Sequence, residues 1–203
     1  MHRENVARLA ATSVMVAVLS GCGGGTRQPA GQTRPSSRHI HRTFTDTRGE
    51  ACVFSAPGPA FGLVGHVAWG FELTSGTWEF GANEGPDYWP PRKADISKTW
   101  DEAGSFSVML AAFAEGGPYE GTNYYTSYRC RAVSMPDTAG AAAEVIHESH
   151  QYYAIPGQDC LSQVYNVLNV YGVTGLPNAI GVFDSVPNRW YRHLSGFSAP
   201  GSL

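Results

Sequence analysis

The sequence predicts an α+β fold in which an antiparallel sheet packs on two helices. A strand–turn–strand pattern between residues 63 and 81 predicts a β-hairpin. Capped apolar segments between residues 137 and 172 predict two helices late in the chain. Glycine is frequent and lysine is scarce, with only Lys93 and Lys98 present. This composition favours short strands joined by turns over a helical bundle.

The predicted hairpin begins near His66, after Leu63-Val64-Gly65, and its first strand runs to Leu73. Thr74-Ser75-Gly76 supplies turn residues, and Thr77–Gly81 returns as the partner strand. Residues 77, 79 and 81 share one face of that strand, because side chains alternate between the two faces.

Three segments between the hairpin and the helices are less regular. Residues 82–104 are predicted as a long loop, because Trp89-Pro90-Pro91 excludes regular structure there. Residues 106–113 fit either a strand or a helix, and their context favours a strand. Residues 124–133 alternate large and polar side chains and are predicted as another strand.

The two helices have recognisable ends. Asp137 or Thr138 can cap the first, which is predicted to run to about Gln151. The second is predicted to begin at Cys160 and to end at Gly172, a residue typical of helix C-termini. The apolar positions of the second helix fall on one face, namely 161, 164, 165, 168 and 171.

The N-terminus has the pattern of a lipoprotein signal peptide over residues 1–21. Arg3 and Arg8 precede a mostly apolar stretch that is shorter than a membrane-spanning helix, which needs about 20 apolar residues. Leu19-Ser20-Gly21-Cys22 then matches a bacterial lipobox, in which the cysteine carries the lipid. We therefore expect an extracytoplasmic protein anchored to the cell membrane through Cys22. The alternative is an ordinary secretory signal with a chance cysteine.

Residues 22–44 are predicted to be a flexible tether that precedes one globular domain at residues 45–203. The tether is rich in glycine, proline, serine and threonine, and it offers little to bury. Its arginines could contact anionic lipid headgroups. A soluble spacer that happens to be basic is the favoured interpretation.

The charge of the mature chain argues against a nucleic-acid partner. Removal of residues 1–21 leaves 12 basic and 16 acidic residues, a formal net charge of −4. Nucleic-acid surfaces need a basic patch. The patterns require no cofactor, and the expected partners are the membrane and a cell-wall peptide or acyl substrate.

Three cysteines remain after lipidation, and outside the cytoplasm thiols usually pair. Cys52 and Cys130 both lie in strand-like settings, so the sequence predicts a disulfide between them. Cys160 is then left free at the start of a helix, where the partial positive charge favours thiolate over thiol. A nucleophilic cysteine also needs an imidazole base, for which His66 is the candidate, and Glu79 could orient that imidazole.

Gly65-His66 on a strand, a polar residue on its hairpin partner, and a cysteine that opens a late helix resemble the circularly permuted, papain-like NlpC/P60 fold. The run from Tyr153 to Cys160 and on to Gly172 resembles the cysteine helix of such proteins. The resemblance implies His66 as base, Cys160 as nucleophile and Glu79 as orienting group. It also implies a cell-envelope thiol hydrolase or acyltransferase that acts on an amide or acyl bond.

Other interpretations stay open at this point. A non-catalytic envelope lipoprotein could use the same fold to bind a wall component or a partner protein, with Cys160 an inert buried thiol. His147 and His150 share a helical face, but the zinc-protease signature needs a longer spacing, so that no metal site is expected. Asp184 and His193 could form a different dyad, but nothing in their surroundings supports it. The many aromatic residues could line a glycan groove or pack in the core.

Overall fold

The structure is a computed structural model that describes residues 48–57, 64–85, 98–118, 125–154, 157–179 and 186–203. The described residues all belong to one compact unit. The predicted signal peptide, Cys22 and the tether at residues 22–44 lie outside the described residues. None of the helices in the described segments combines the length and the apolar character that spanning a bilayer requires.

The fold is α+β, as predicted, and is built on one antiparallel sheet. The described residues contribute six strands in the order β4-β3-β2-β1-β5-β6. Every neighbouring pair in that order is antiparallel. The strands are β1 (Gly49–Ala56), β2 (His66–Thr74), β3 (Thr77–Asn83), β4 (Thr99–Gly104), β5 (Ser127–Val133) and β6 (Gly201–Ser202).

Four helices occur in the described residues, two more than the sequence predicted. They are α1 (Phe106–Ala114), α2 (Thr138–Ser149), α3 (Cys160–Tyr171) and α4 (Pro187–Arg192). The predicted late helices correspond to α2 and α3. Asp137 caps α2, and Gly172, at a φ of +108°, ends α3.

The strand predicted over residues 106–113 is wrong, because this segment forms helix α1. The Ser105 side chain accepts a hydrogen bond from the Val108 N–H, which starts the helix. Met109 and Phe113, one turn apart, are both fully buried. The buried apolar residues of this segment are therefore spaced as in a helix, and its weak alternation does not support a strand.

The loop predicted over residues 82–104 is too long at both ends. Strand β3 continues to Asn83, and β4 occupies Thr99–Gly104 beside it. Residues 86–97, which contain the Trp89-Pro90-Pro91 sequence, lie outside the described residues.

The sheet is covered on both faces by apolar clusters. Alternate β2 residues divide between them, since Val67, Trp69 and Phe71 join the cluster of α2, α3 and α4, whereas Ala68 joins that of α1. Burial of both faces makes β2 a central strand. Side chains alternate between the two faces of a strand, so His66, two residues before Ala68, lies on the face covered by α1 (the α1 face), at the end of the sheet.

The predicted disulfide between Cys52 and Cys130 is confirmed. The two residues are direct partners on the adjacent strands β1 and β5. Both lie on the α1 face of the sheet. Among the described residues, Cys160 is the free cysteine, and it is buried.

Candidate functional site

Cys160 is the first residue of α3, and the preceding Asp159 determines where that helix begins. The Asp159 carboxylate accepts hydrogen bonds from the N–H groups of Leu161 and Ser162. The Ser162 hydroxyl in turn accepts from the Asp159 N–H, which completes a capping box. The thiol therefore lies at a well-defined helix N-terminus, with 4% of Cys160 exposed.

Gln163, one turn after Cys160, ties the start of α3 to the sheet. Its side chain is fully buried, accepts a hydrogen bond from Trp69 Nε1 at 3.4 Å and donates one to Thr99 Oγ1 at 3.3 Å. These contacts link α3 to β2 and β4. A buried amide with both ends satisfied restricts how the helix can slide on the sheet.

His66 is the first residue of β2, and the chain enters that strand through a glycine. Gly65 has a φ of +68°, and a Cβ there would collide with the side-chain amide of Asn188. Glycine is needed at this position because both the backbone conformation and the space exclude a side chain. The entry brings the His66 ring to the end of the sheet where α3 also begins.

The structure brings His66 and Cys160 together, as the sequence analysis expected of a nucleophile and its base. The two side chains interact, and His66 is 6% exposed. Burial alone lowers the pKa of His66, but the nearby Cys160 and Glu84 outweigh it and raise the pKa to about 10. The imidazole is therefore held as a cation at neutral pH.

Glu84 is the carboxylate that faces the imidazole. Its Oε2 lies 3.3 Å from His66 Nε2, without the alignment of a hydrogen bond, and its side chain is 0% exposed. Its Oε1 accepts hydrogen bonds from Trp100 Nε1 at 3.0 Å and from the Tyr125 hydroxyl at 3.2 Å. These donors hold the carboxylate in place beside His66.

Glu79, the orienting group that the sequence analysis favoured, lies elsewhere on the hairpin. It is paired with Phe71 on β2 and Ala103 on β4. Phe71 is five residues from His66, which corresponds to about 17 Å along an extended strand. Burial and the nearby Asp101 raise the pKa of Glu79. In the structure, Glu84 therefore occupies the position next to His66 that was expected for Glu79.

Tyr153 is a further residue of the site to which the sequence analysis gave no role. Paired backbone hydrogen bonds of 2.8 Å between Ala154 and Gln158 help to bring Tyr153 near Cys160. Tyr153 is 8% exposed. Burial and the nearby charges of Cys160, Asp159 and Glu84 raise its pKa, so that the phenol keeps its proton.

The remaining candidates of the sequence analysis do not join this site. His147 and His150 are exposed on and just after α2, and the described residues contain no group of three or more side chains suited to a metal. Asp184 lies outside the described residues, whereas His193 is exposed at the end of α4. Among the aromatic residues, Tyr125 and Trp190 are buried in the two apolar clusters.

The site thus combines a thiol, an imidazolium and a buried carboxylate. No protein-family model, curated protein or solved structure matches this chain. The functional interpretation therefore depends on the contacts among Cys160, His66, Glu84 and Tyr153.

Proposed function

We propose that this protein is a cell-envelope thiol hydrolase or acyltransferase, anchored to the membrane by a lipid on Cys22. Cys160 is its nucleophile, His66 its general acid and base, and Glu84 the group that orients His66. The observation that carries the proposal is a buried His66 that interacts with Cys160 and whose Nε2 lies 3.3 Å from Glu84 Oε2. Thiol, imidazole and orienting carboxylate are the arrangement that activates a cysteine for acyl transfer.

The proposed reaction forms and then resolves a thioester. The Cys160 thiolate attacks the carbonyl carbon of an amide or ester, and His66 gives its proton to the departing amine or alcohol. Water or another acceptor then attacks the thioester, and His66 takes the proton from that acceptor. Release of the acyl group returns Cys160 to the thiolate and His66 to the imidazolium.

Two hydrogen-bond donors beside the thiol can stabilise the oxyanion of each tetrahedral intermediate. One is the backbone N–H of Cys160, at the N-terminus of α3. The other is the Tyr153 hydroxyl, which the raised pKa keeps protonated. Because Tyr153 packs on Gly85, next to Glu84, the same short segment supports both the donor and the carboxylate.

The permuted papain-like, NlpC/P60-like fold is part of this proposal. The chain order supports it, since His66 and Glu84 lie on a hairpin that precedes the cysteine helix. The packing of α3 on β2 and β3 supports it as well. The resemblance then suggests amide bonds of cell-wall peptides as the first substrates to try.

Alkylation of the full chain with iodoacetamide across pH tests the proposal. At about pH 6 a model thiol is mostly protonated, so an ion-paired Cys160 should react at least about tenfold faster. His66→Gln removes the cation that stabilises the thiolate and should therefore lower that rate by at least about tenfold. Mass spectrometry of the Cys160 peptide separates this thiol from Cys22.

His193→Gln is the matched control, because His193 is an exposed histidine at the end of α4. It should leave the rate unchanged. A Cys160 that reacts no faster than a model thiol, or that is found in a disulfide, would overturn the proposed function.

The burial of the site favours one second candidate, a non-catalytic lipoprotein that binds a wall component or partner protein. With Cys160 only 4% and His66 only 6% exposed, the pair could serve as a buried polar link between α3 and the sheet. In that case wild-type Cys160 would react with iodoacetamide no faster than a model thiol. The same alkylation series therefore separates the two candidates.

A further inference from the structure

A pocket of about 260 Å³ opens beside the candidate site, between the end of β1, the start of β5 and helix α4. Its walls carry hydroxyl groups of Thr126, Ser127 and Tyr191, the amide of Asn188 and the guanidinium of Arg192. Hydroxyl, amide and guanidinium groups can all donate hydrogen bonds. The pocket is therefore lined by donors.

The charge of the pocket differs from that of the chain. The chain carries a net charge of −3, yet none of the described residues that line the pocket is acidic. Arg192 is held at the rim, where its Nε donates to the Asn188 carbonyl at 3.1 Å. Arg129 lies behind it, 5.9 Å from the centre of the Tyr191 ring. Two guanidinium groups make this a local positive region that favours an anion.

One donor in the pocket is buried and unsatisfied. Tyr191 is 6% exposed, and its hydroxyl has no aligned hydrogen-bond partner. Burial raises the pKa of Tyr191, while the nearby Ser127 and Arg129 lower it. Buried hydroxyl groups are rarely left unpaired, which points to a ligand atom at this position.

The pocket lies next to the site through Asn188. The Asn188 N–H donates to the Val64 carbonyl at 3.1 Å, and its side chain fills the space beside Gly65. Gly65 directly precedes His66. The last residue of β1, Ala56, pairs with His66 across the sheet. Asn188 therefore joins the pocket to the segment directly before His66.

We propose that this pocket binds a carboxylate of the substrate that acylates Cys160, so that the substrate class is an acidic peptide. This inference rests on the proposed function. The planar fork of Arg192 matches a carboxylate, and the hydroxyls of Tyr191 and Ser127 supply further donors.

Two affinity labels test the pocket on the full chain: N-bromoacetyl-glycylglycine and its C-terminal amide. In both, the Cys160 sulfur displaces bromide to form a thioether, and mass spectrometry of the Cys160 peptide gives the rate. The acid should label about tenfold faster than the amide, which is the effect of one charge-assisted hydrogen bond.

Arg192→Gln should remove this advantage, whereas Arg189→Gln, on the same helix but outside the pocket lining, should keep it. Tyr191→Phe should reduce it by about threefold without a loss of stability, because the hydroxyl that it removes has no aligned partner.

The outcomes separate the pocket from the proposed function. Fast but equal labelling by acid and amide would overturn the carboxylate pocket and leave the reactive thiol intact. Labelling by both at the rate of a model thiol would overturn the proposed function. A faster reaction with a probe that ends in a phosphate would show a phosphate site and contradict the carboxylate assignment.

Discussion

The two ends of the β2–β3 hairpin each bury a glutamate, and the two carboxylates have opposite environments. Near the turn, Glu79 is half-buried and its nearby charge is Asp101, so its pKa is raised. At the open end, the side chain of Glu84 is completely buried, accepts two hydrogen bonds and faces His66. Burial without a cation disfavours the carboxylate, whereas burial with donors and an imidazolium retains it.

The partner of a buried carboxylate, and not its burial alone, distinguishes the candidate site from the rest of the hairpin. Glu79 can lose its charge at little cost to the rest of the molecule. Glu84, in contrast, has Trp100, Tyr125 and His66 arranged around it.

The largest expected effect is the pH dependence of stability at the open end. The pKa of His66 is raised from 6.5 to about 10 in the folded protein. Its contribution should therefore be complete below the unfolded pKa of about 6.5 and be lost as pH rises toward about 10, with a limiting slope of about 1.4 kcal/mol per pH unit.

Urea unfolding of the wild type and of His66→Gln over this pH range measures the contribution. The wild-type advantage should be greatest at about pH 6 and should shrink toward about pH 10. An advantage that grows with pH would contradict the assignment of His66 as a buried cation.

The next effect is the loss of the Glu84 charge. Glu84→Gln keeps the shape of the side chain but leaves His66 buried beside a neutral amide. Removing one member of a buried ion pair should cost about 3 kcal/mol in the free energy of unfolding at neutral pH. It should also slow alkylation of Cys160. Denaturant unfolding and iodoacetamide labelling measure the two effects.

Glu79→Gln is the matched control and has the smallest effect, of opposite sign. Because burial and Asp101 raise the pKa of Glu79, the carboxylate is disfavoured in the folded state at neutral pH. The amide should be equal in stability or more stable by at most about 0.5 kcal/mol, since the group is half exposed. This gain should vanish as pH falls below the carboxyl's ordinary range. Equal losses for Glu79→Gln and Glu84→Gln would remove the distinction between the two ends.

The local signals of the sequence predicted much of the fold correctly. Asp137 caps α2 and Gly172 ends α3. Such end signals depend only on residues within about one helical turn, so the sequence alone shows them. Cys52 and Cys130 lay in strand-like segments, and the strands place them side by side. Helix α1 was missed because its cap at Ser105 was not weighed against a weak alternation.

Glu84 could have been found from the register of the hairpin. The observed pairs of Trp69 with Gly81 and Phe71 with Glu79 extend to His66 with Glu84. A bulge between Glu72 and Thr74 shifts this register by one residue, so that counting back from the turn alone misses it. The meeting of His66 with Cys160 depends on how α3 packs on the sheet, which no local pattern encodes.

The most direct test of the account is a cross-link between Cys160 and His66 with 1,3-dibromoacetone. The thiolate and an imidazole nitrogen each displace one bromide, and a three-carbon bridge joins them only if the two side chains are in contact. We predict a single cross-linked species that contains both peptides in the wild type and is absent from His66→Gln. A Cys160 that is alkylated without any bridge to His66 would contradict the account.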